Sequence, residues 1–144
     1  MNAYIPWIET WNLTPDGEPF ETEYTGSLLL PVRLGARPCM LKIASAPEEI
    51  RGSTLMTWWN GYGAAEVLAQ AGSAILLERA SSLDSLAEMS RHGDDDKALS
   101  ILCRTLGLLH SPRAAPPPAN LPRLATWFRD LARLASADTL VDFH

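Results

Sequence analysis

The sequence has few cysteines, no long apolar run and no cluster of basic residues. Its two cysteines, Cys39 and Cys103, are far apart, lack CxxC spacing and lie in apolar contexts, which predicts buried free thiols rather than a disulfide or a zinc site. No segment approaches the roughly 20 apolar residues that a membrane span requires, and the N-terminus lacks a basic region followed by an apolar stretch. These absences predict a cytoplasmic protein with no membrane partner.

The balance of charge is acidic, with a formal net charge of −5. Proteins that bind nucleic acid draw much of their affinity from clustered lysine and arginine, so we expect no nucleic-acid partner. An acidic surface is compatible with a cationic small molecule. The 144 residues are 47% hydrophobic and include five tryptophans, which is enough apolar material for a folded domain or for one lobe of a larger protein.

Short β-compatible runs dominate the first half of the chain. Residues 1–24 mix tryptophans, prolines and acidic residues, which predicts an irregular segment with one short strand at Tyr4–Glu9. From Gly26 the runs SLLLPVRL and PCMLKIA flank a turn-like LGARP and predict an antiparallel hairpin. Further on, AEVLAQ and SAILLERA predict a second strand pair, with a short helical turn followed by a buried strand as the alternative.

Helical patterns interrupt and then replace these strands. Pro47 suits the first turn of a helix that should run to about Trp59, where Asn60 and the glycines after it supply a stop. From Ser82 onward helices predominate, because SSLDSLAEMS offers a serine N-cap and DDDKALSILCRTLGLLH is amphipathic. The proline-rich PRAAPPPANLP predicts an extended connector, after which residues 121–135 resume a helical period.

Four segments of the sequence carry a resemblance to a known family. They are CMLKIASAPEEIRGSTLMTWWNGYGAAEVL, ILLERASSLDSL, ILCRTLGLLHSP and LATWFRDL. The most specific part is a lysine followed, after a short gap, by E-E-x-R-G and then by W-x-x-G-x-G-A. From about Gly26 to His144 the chain resembles the aminoglycoside/hydroxyurea antibiotic-resistance kinases, including streptomycin 6-phosphotransferases.

This resemblance implies an α+β fold of the protein-kinase type. Residues 1–80 are expected to form the small lobe, an antiparallel sheet plus one helix, with a hinge at 77–80 that leads into a second lobe. Residues 81–144 are expected to begin that helical lobe without completing it, because the family's catalytic loop belongs further along the chain.

Lys42 and Glu49 are the candidate pair of a nucleotide site. Kinase-type phosphoryl transfer depends on positioning and charge stabilisation, so it needs a lysine on the phosphates and a carboxylate that orients this lysine. An isolated strand lysine is ordinarily a solvated side chain, but the resemblance favours Lys42 as the phosphate ligand and Glu49, in the first turns of the next helix, as its partner. Glu48 is the alternative partner, because helix phase is uncertain by a residue or two. Arg51 is left outside the site.

The resemblance also implies an adenine-binding hinge and a loop over the phosphates. The Glu78 carbonyl and the Ala80 amide are the expected hinge contacts, with Leu77 beside them; a buried strand that merely leaves the sheet is the alternative. The expected phosphate loop falls near Tyr24, Thr25, Gly26 and Ser27. Its backbone N–H groups and hydroxyls could face an anion, and an ordinary hairpin turn is the alternative.

The sequence offers no residues that would perform the transfer itself. His92-Gly93-Asp94 resembles the start of the family's H-G-D-L-H-x-x-N loop, but Leu99 stands at the asparagine position and the aspartates open an amphipathic helix. We interpret Asp130, Asp138 and Asp142 as solvated carboxylates. We therefore assign no catalytic residue and no metal ligand within this chain.

The expected function is the nucleotide-binding part of an ATP-dependent O-phosphotransferase. By the resemblance, the acceptor is a small hydroxylated compound of the aminoglycoside type, ATP is the cofactor, and Mg²⁺ is required only with the complete protein; this chain alone would be inactive. The alternative is a non-catalytic truncated or partner-binding protein derived from a kinase fold. Apolar helix faces without a second lobe over them would then promote self-association.

Overall fold

An antiparallel sheet organises the first half of the chain in this computed structural model, which describes residues 3–81 and 85–136. Its strands are β1 (Leu13–Pro15), β2 (Phe20–Glu21), β3 (Leu28–Leu34), β4 (Arg37–Ile43), β5 (Val67–Ala71) and β6 (Ala74–Glu78). They lie in the order β1-β3-β4-β6-β5, and β2 pairs with β3 further along the edge that β1 occupies. The predicted hairpin is β3–β4 and the predicted second strand pair is β5–β6, so both predictions are confirmed.

Six helices accompany the sheet within the described residues. They are α1 (Ile5–Thr10), α2 (Pro47–Trp59), α3 (Leu86–Arg91), α4 (Asp95–Leu109), α5 (Leu124–Trp127) and α6 (Arg129–Ser136). Helix α2 has the predicted bounds: Pro47 occupies its first turn, and Asn60 ends it in the left-handed conformation with φ 46°. Among residues 3–81 and 85–136, no helix combines the length and apolar character that crossing a bilayer requires.

The core lies on one face of the sheet. In the β3–β4 register Leu30 faces Leu41 and Val32 faces Cys39, and all four side chains are buried. Because successive strand residues point to opposite faces, Lys42 and its cross-strand neighbour Ile75 project from the other face. The sheet thus has an apolar core on one face and the charged side chain of Lys42 on the other.

The predicted strand at Tyr4–Glu9 was wrong, because this segment forms helix α1. Pro6 lies in the first turn, where its missing N–H costs no helical hydrogen bond. Trp7 and Trp11, one helical turn apart, pack against the core with their ring centroids 5.2 Å from each other. The helical spacing of four residues brings both rings to the same side of the segment, where they pack against the core.

The prediction that Cys103 is buried was also wrong, whereas Cys39 is buried as expected. Helix α4 turns a different side inward, with Ala98 buried and Ile101 and Thr105 half-buried. The outward side carries the residues spaced three or four apart that we call the α4 stripe. The α4 stripe consists of Leu99, Leu102, Cys103 and Leu106.

The helical segment predicted for residues 121–135 divides into two helices. A turn at Phe128 separates α5 from α6, although the Phe128 amide still donates to the Leu124 carbonyl at 2.8 Å. The connector before it has no regular structure, as its prolines predict. The predicted helix start at Ser82 and the carboxylates of Asp138 and Asp142 lie outside the described residues.

Candidate functional site

Local chain geometry brings the first turn of α2 above Lys42. Strand β4 ends at Ile43, and α2 begins four residues later at Pro47. The chain therefore reverses sharply and covers the face from which Lys42 projects. Glu48 and Glu49 lie in this first turn, where carboxylates also complement the positive end of the helix dipole. Only one of the two can point back to the sheet.

Glu49 is the residue that does so. Its Oε2 forms an ion pair with Lys42 Nζ, and Ser27 Oγ donates to the same oxygen at 2.6 Å. The side chains of Lys42 and Glu49 are 26% and 18% exposed, and Ser27 is fully buried. Glu48 instead pairs with Arg51 at 3.0 Å on the exposed side of the helix. The structure thus places Glu49, the favoured of the two candidates, against Lys42.

The Lys42 ammonium and the hydroxyls of Ser27 and Thr25 stabilise the ionised form of Glu49. The Lys42 ammonium, followed by the Ser27 hydroxyl, holds the pKa of the Glu49 carboxyl below its ordinary value of 4.5. The unfolded chain therefore binds this proton more readily than the folded protein does. The resulting stabilisation is fully present above pH 4.5 and is lost as the pH falls through the lowered pKa of the folded state.

A cleft of about 630 Å³ opens beside the ion pair. One wall is apolar and is built by α2 and β6; it comprises Leu55, Met56, Trp59, Ile75 and Leu77. Thr25, Lys42 and Glu49 line the polar side. A fixed cation next to an apolar wall suits a ligand with an anionic group and a flat apolar body. Four of the eight predicted site residues, Thr25, Lys42, Glu49 and Leu77, line this cleft.

The loop between β2 and β3 is tied to itself and to the start of α2. The Gly26 amide donates to the Thr22 carbonyl, and the Ser27 amide donates to Thr22 Oγ1, both at 3.0 Å. Gly26 has a φ of 62°, a conformation that favours glycine. Ser45 Oγ donates to the Thr25 carbonyl at 2.6 Å. In this conformation the N–H groups of Gly26 and Ser27 already donate hydrogen bonds within the protein, to the carbonyl and the hydroxyl of Thr22.

The predicted hinge residues lie at the end of β6. The Glu78 amide donates to the Glu66 carbonyl at 2.9 Å, and Glu78 Oε1 accepts from the Glu66 amide at 2.9 Å. Glu78 and Ala80 line a second cavity of about 530 Å³, rather than the cleft beside Lys42. Between them Arg79 forms an ion pair with Asp16 and lowers the pKa of that carboxyl. This ion pair ties the segment after β6 to the loop after β1.

The His-Gly-Asp sequence has the structural role that the sequence predicted. His92 ends α3, Gly93 adopts a φ of 88°, and Asp94 is the N-cap residue of α4. Asp95 and Asp96 follow in the first turn, where their charges complement the helix dipole. These aspartates therefore open a helix and do not form a loop beside Lys42.

Sequence reasoning missed Arg113, which lies in the connector after α4. Its guanidinium stands 4.7 Å from the Trp58 ring centroid and 5.7 Å from that of Tyr62. Arg113 Nη2 donates to the Tyr62 carbonyl at 3.1 Å, and Trp58 Nε1 donates to the Ala115 carbonyl at 3.0 Å. The proline content predicted only a spacer. The available signal was the run of aromatic residues around W-x-x-G-x-G-A, which can receive a cation.

A sheet lysine paired with a carboxylate of the following helix, beside a partly apolar cleft, defines the small lobe of a kinase-like fold. More particularly, the chain belongs to the aminoglycoside/hydroxyurea antibiotic resistance kinase family, whose model matches residues 10–142. The family predicted from the sequence is thereby confirmed.

A curated relative supports the same family. The chain is 49% identical over 129 residues to streptomycin 3''-kinase of Klebsiella pneumoniae. The match covers 90% of this chain and 47% of the relative, so the chain spans about half of the relative's length. No solved structure matches the chain.

Proposed function

We propose that this chain supplies the nucleotide-binding lobe of an ATP-dependent O-phosphotransferase whose acceptor is an aminoglycoside. The observation that carries the proposal is the Lys42–Glu49 ion pair at the edge of the cleft. Kinases use such a pair to hold a lysine against the nucleotide phosphates. Membership of the resistance kinase family and the name of the relative support the phosphotransferase class.

Each residue of the site has a defined role in this proposal. Lys42 binds the nucleotide phosphates, and Glu49 holds Lys42 in place. The adenine ring lies against Leu77, which lines the cleft. The Glu78 carbonyl and the Ala80 amide stay the proposed contacts of its edge, although these two residues line the second cavity in this structure. The loop that contains Thr25, Gly26 and Ser27 lies at the phosphate end, where Thr25 lines the cleft and Ser27 is buried. The apolar wall of the cleft fits the adenine ring, and the charged end fits the phosphates.

The remaining parts of the reaction are assigned outside this lobe. Within residues 3–81 and 85–136, no three His, Cys, Asp or Glu side chains converge to hold a metal ion. The proposal places the base that deprotonates the acceptor and the ligands of Mg²⁺, which would neutralise phosphate charge, outside residues 3–81 and 85–136. The greater length of the relative supports this assignment. Because that relative is a streptomycin 3''-kinase, streptomycin is the first acceptor to test, at the 3'' position.

Replacement of Lys42 by alanine should weaken ATP binding about 10- to 100-fold, because hydrogen bonds to charged groups contribute ~1.5–3 kcal/mol. Isothermal titration calorimetry of the whole chain with ATP, with and without Mg²⁺, measures this change. Lys97→Ala is the matched control, because Lys97 is an exposed lysine on α4 that does not line the cleft.

Two outcomes would contradict the proposal. A folded wild-type chain that binds no ATP at millimolar concentration would remove the nucleotide function. Wild-type binding that Lys42→Ala leaves unchanged would place the nucleotide elsewhere. Circular dichroism of each variant must first match the wild type, so that unfolding is not mistaken for lost binding.

The exposed leucines favour a second candidate function, in which the chain binds a second copy of itself. The α4 stripe presents Leu99, Leu102 and Leu106 at 58%, 48% and 50% exposure. Exposed apolar side chains also occur in α5, in the turn after it and in α6, at Trp127, Phe128, Leu131 and Leu134. Large exposed apolar patches mark protein–protein interaction sites, and three exposed leucines on one face of α4 are the start of such a patch.

We expect the chain to dimerise with rising concentration and the double variant Leu102→Lys/Leu106→Lys to remain monomeric, because each lysine places a charge in the apolar contact. Size-exclusion chromatography with light scattering distinguishes the two states. Leu34→Lys is the control, since Leu34 is 39% exposed at the end of β3, away from the α4 stripe. A wild-type chain that stays monomeric at high concentration would exclude self-association.

A further inference from the structure

We propose that Ser27 is a positioning residue: its hydroxyl fixes the Glu49 carboxylate, which in turn holds Lys42 at the cleft. The proposal rests on the nucleotide function assigned above to Lys42. It gives Ser27 a role different from contact with phosphate. It also extends the Lys42–Glu49 pair to a three-residue unit that joins the β2–β3 loop, the sheet and α2.

The first argument is geometric. Ser27 Oγ lies 2.6 Å from Glu49 Oε2, the oxygen that also faces Lys42 Nζ. A carboxylate held by the lysine alone can rotate and follow that flexible side chain. A second donor that comes from another element fixes the direction of the oxygen, and charge-assisted hydrogen bonds of this length are the strong ones.

The second argument is burial. Ser27 has no exposed surface, whereas Thr25, in the same loop, is exposed. The Ser27 amide is also occupied, because it donates to Thr22 Oγ1 at 3.0 Å. Both donors of Ser27 therefore point into the protein. A residue that bound phosphate would need at least one of them free toward the cleft.

The third argument is that the loop is built to hold Ser27 still. The Thr22 carbonyl accepts a hydrogen bond from the Gly26 amide, and the Thr22 amide donates to the Ser27 carbonyl at 2.9 Å. Ser45 Oγ ties the Thr25 carbonyl to the link between β4 and α2. The serine hydroxyl is thus supplied by a fixed backbone, which is what a positioning group requires.

Ser27→Ala tests this role through two independent readouts. The first is the titration of the Glu49 carboxyl by ¹³C NMR, where loss of the hydroxyl should raise the midpoint toward that of an ordinary glutamate. The second is ATP affinity by calorimetry, which should fall about 3- to 10-fold because a net hydrogen bond is lost. Ser45→Ala is the matched control: it removes a hydroxyl bonded to the same loop, without contact to Glu49, and should leave the Glu49 midpoint unchanged.

Each result separates this proposal from the nucleotide function. An unchanged Glu49 midpoint in Ser27→Ala overturns the positioning role, whatever happens to ATP. A raised midpoint with unchanged ATP affinity overturns it as well, because the orientation would then not matter for binding. If the wild-type chain binds no ATP, the nucleotide function fails, and the NMR titration still decides whether Ser27 orients Glu49. Should Ser27→Ala not fold, Ser27→Cys keeps a similar volume with a weaker donor and should raise the midpoint in the same direction.

Discussion

Replacement of Gly63 by alanine should destabilise the protein more than any other exchange of a glycine for alanine in the described chain. Gly63 has a φ of 83°, and a Cβ there would lie 2.9 Å from Leu108 Cβ and 3.1 Å from the Leu109 amide nitrogen. The left-handed conformation costs a non-glycine residue about 1–2 kcal/mol. Forcing a methyl group into packed atoms adds about 1–3 kcal/mol. We therefore expect a loss of about 2–5 kcal/mol in the free energy of unfolding, measured by urea titration.

Two other glycines separate these causes. Gly61 has a φ of 79°, but the nearest atom to its added Cβ is Glu66 Cβ at 3.5 Å, an ordinary contact. Gly61→Ala should therefore show the conformational cost alone. Gly107, inside α4, has no neighbour within 4 Å of an added Cβ and no unusual φ. Gly107→Ala should stabilise the protein by about 0.5–1 kcal/mol, the helix propensity difference. If Gly61→Ala and Gly63→Ala lowered the free energy of unfolding equally, the close approach of Gly63 to α4 would contribute nothing to the loss.

Gly63 also explains part of the W-x-x-G-x-G-A motif. From the sequence, its glycines predicted a stop and a turn after α2, and Asn60 does end that helix in the left-handed conformation. The close approach between Gly63 and the last turn of α4 joins residues 45 positions apart. No local pattern encodes such a contact, because it depends on how α4 meets the loop after α2.

The sheet and α2 could be predicted because their signals are local. Alternating residues around a short turn specify the β3–β4 hairpin, and a proline followed by two glutamates specifies the start of α2. The family resemblance then singled out Lys42 and Glu49. The structure brings these two side chains together in an ion pair. Their role in binding a nucleotide stays a prediction until ATP binding is measured.

Other features lacked a local signal. Helix α1 was missed because six residues with tryptophans suit a strand as well as a helix, and the choice is made by packing on the sheet. The direction of the Ser27 hydroxyl depends on α2, which begins 20 residues later. The exposure of Cys103 depends on which side of α4 turns toward the rest of the protein. Each of these is decided by tertiary contacts between distant segments.

Arg113→Ala should give the second large loss of stability, about 2–4 kcal/mol, because it removes charged hydrogen bonds and two cation–π contacts. Arg113 Nη1 donates to the Leu109 carbonyl at 2.8 Å and to the Ser111 carbonyl at 3.0 Å. Nη2 donates to the carbonyls of Tyr62 and Leu108 at 3.1 and 3.2 Å. The guanidinium thus satisfies carbonyls at the end of α4 while it also holds the loop that follows α2. Urea denaturation of the variant measures the loss.

Arg113→Lys separates charge from shape. A lysine keeps the positive charge and its attraction to the Trp58 and Tyr62 rings, but its single ammonium cannot reach four carbonyls at once. We expect it to recover less than half of the loss caused by alanine. Full recovery would mean that the charge above the rings is sufficient. Trp58, which Arg113 contacts, immediately precedes Trp59, which lines the cleft. We therefore expect Arg113→Ala to bind ATP more weakly as well as to lose stability. Lys42→Ala should weaken ATP binding without a comparable loss of stability.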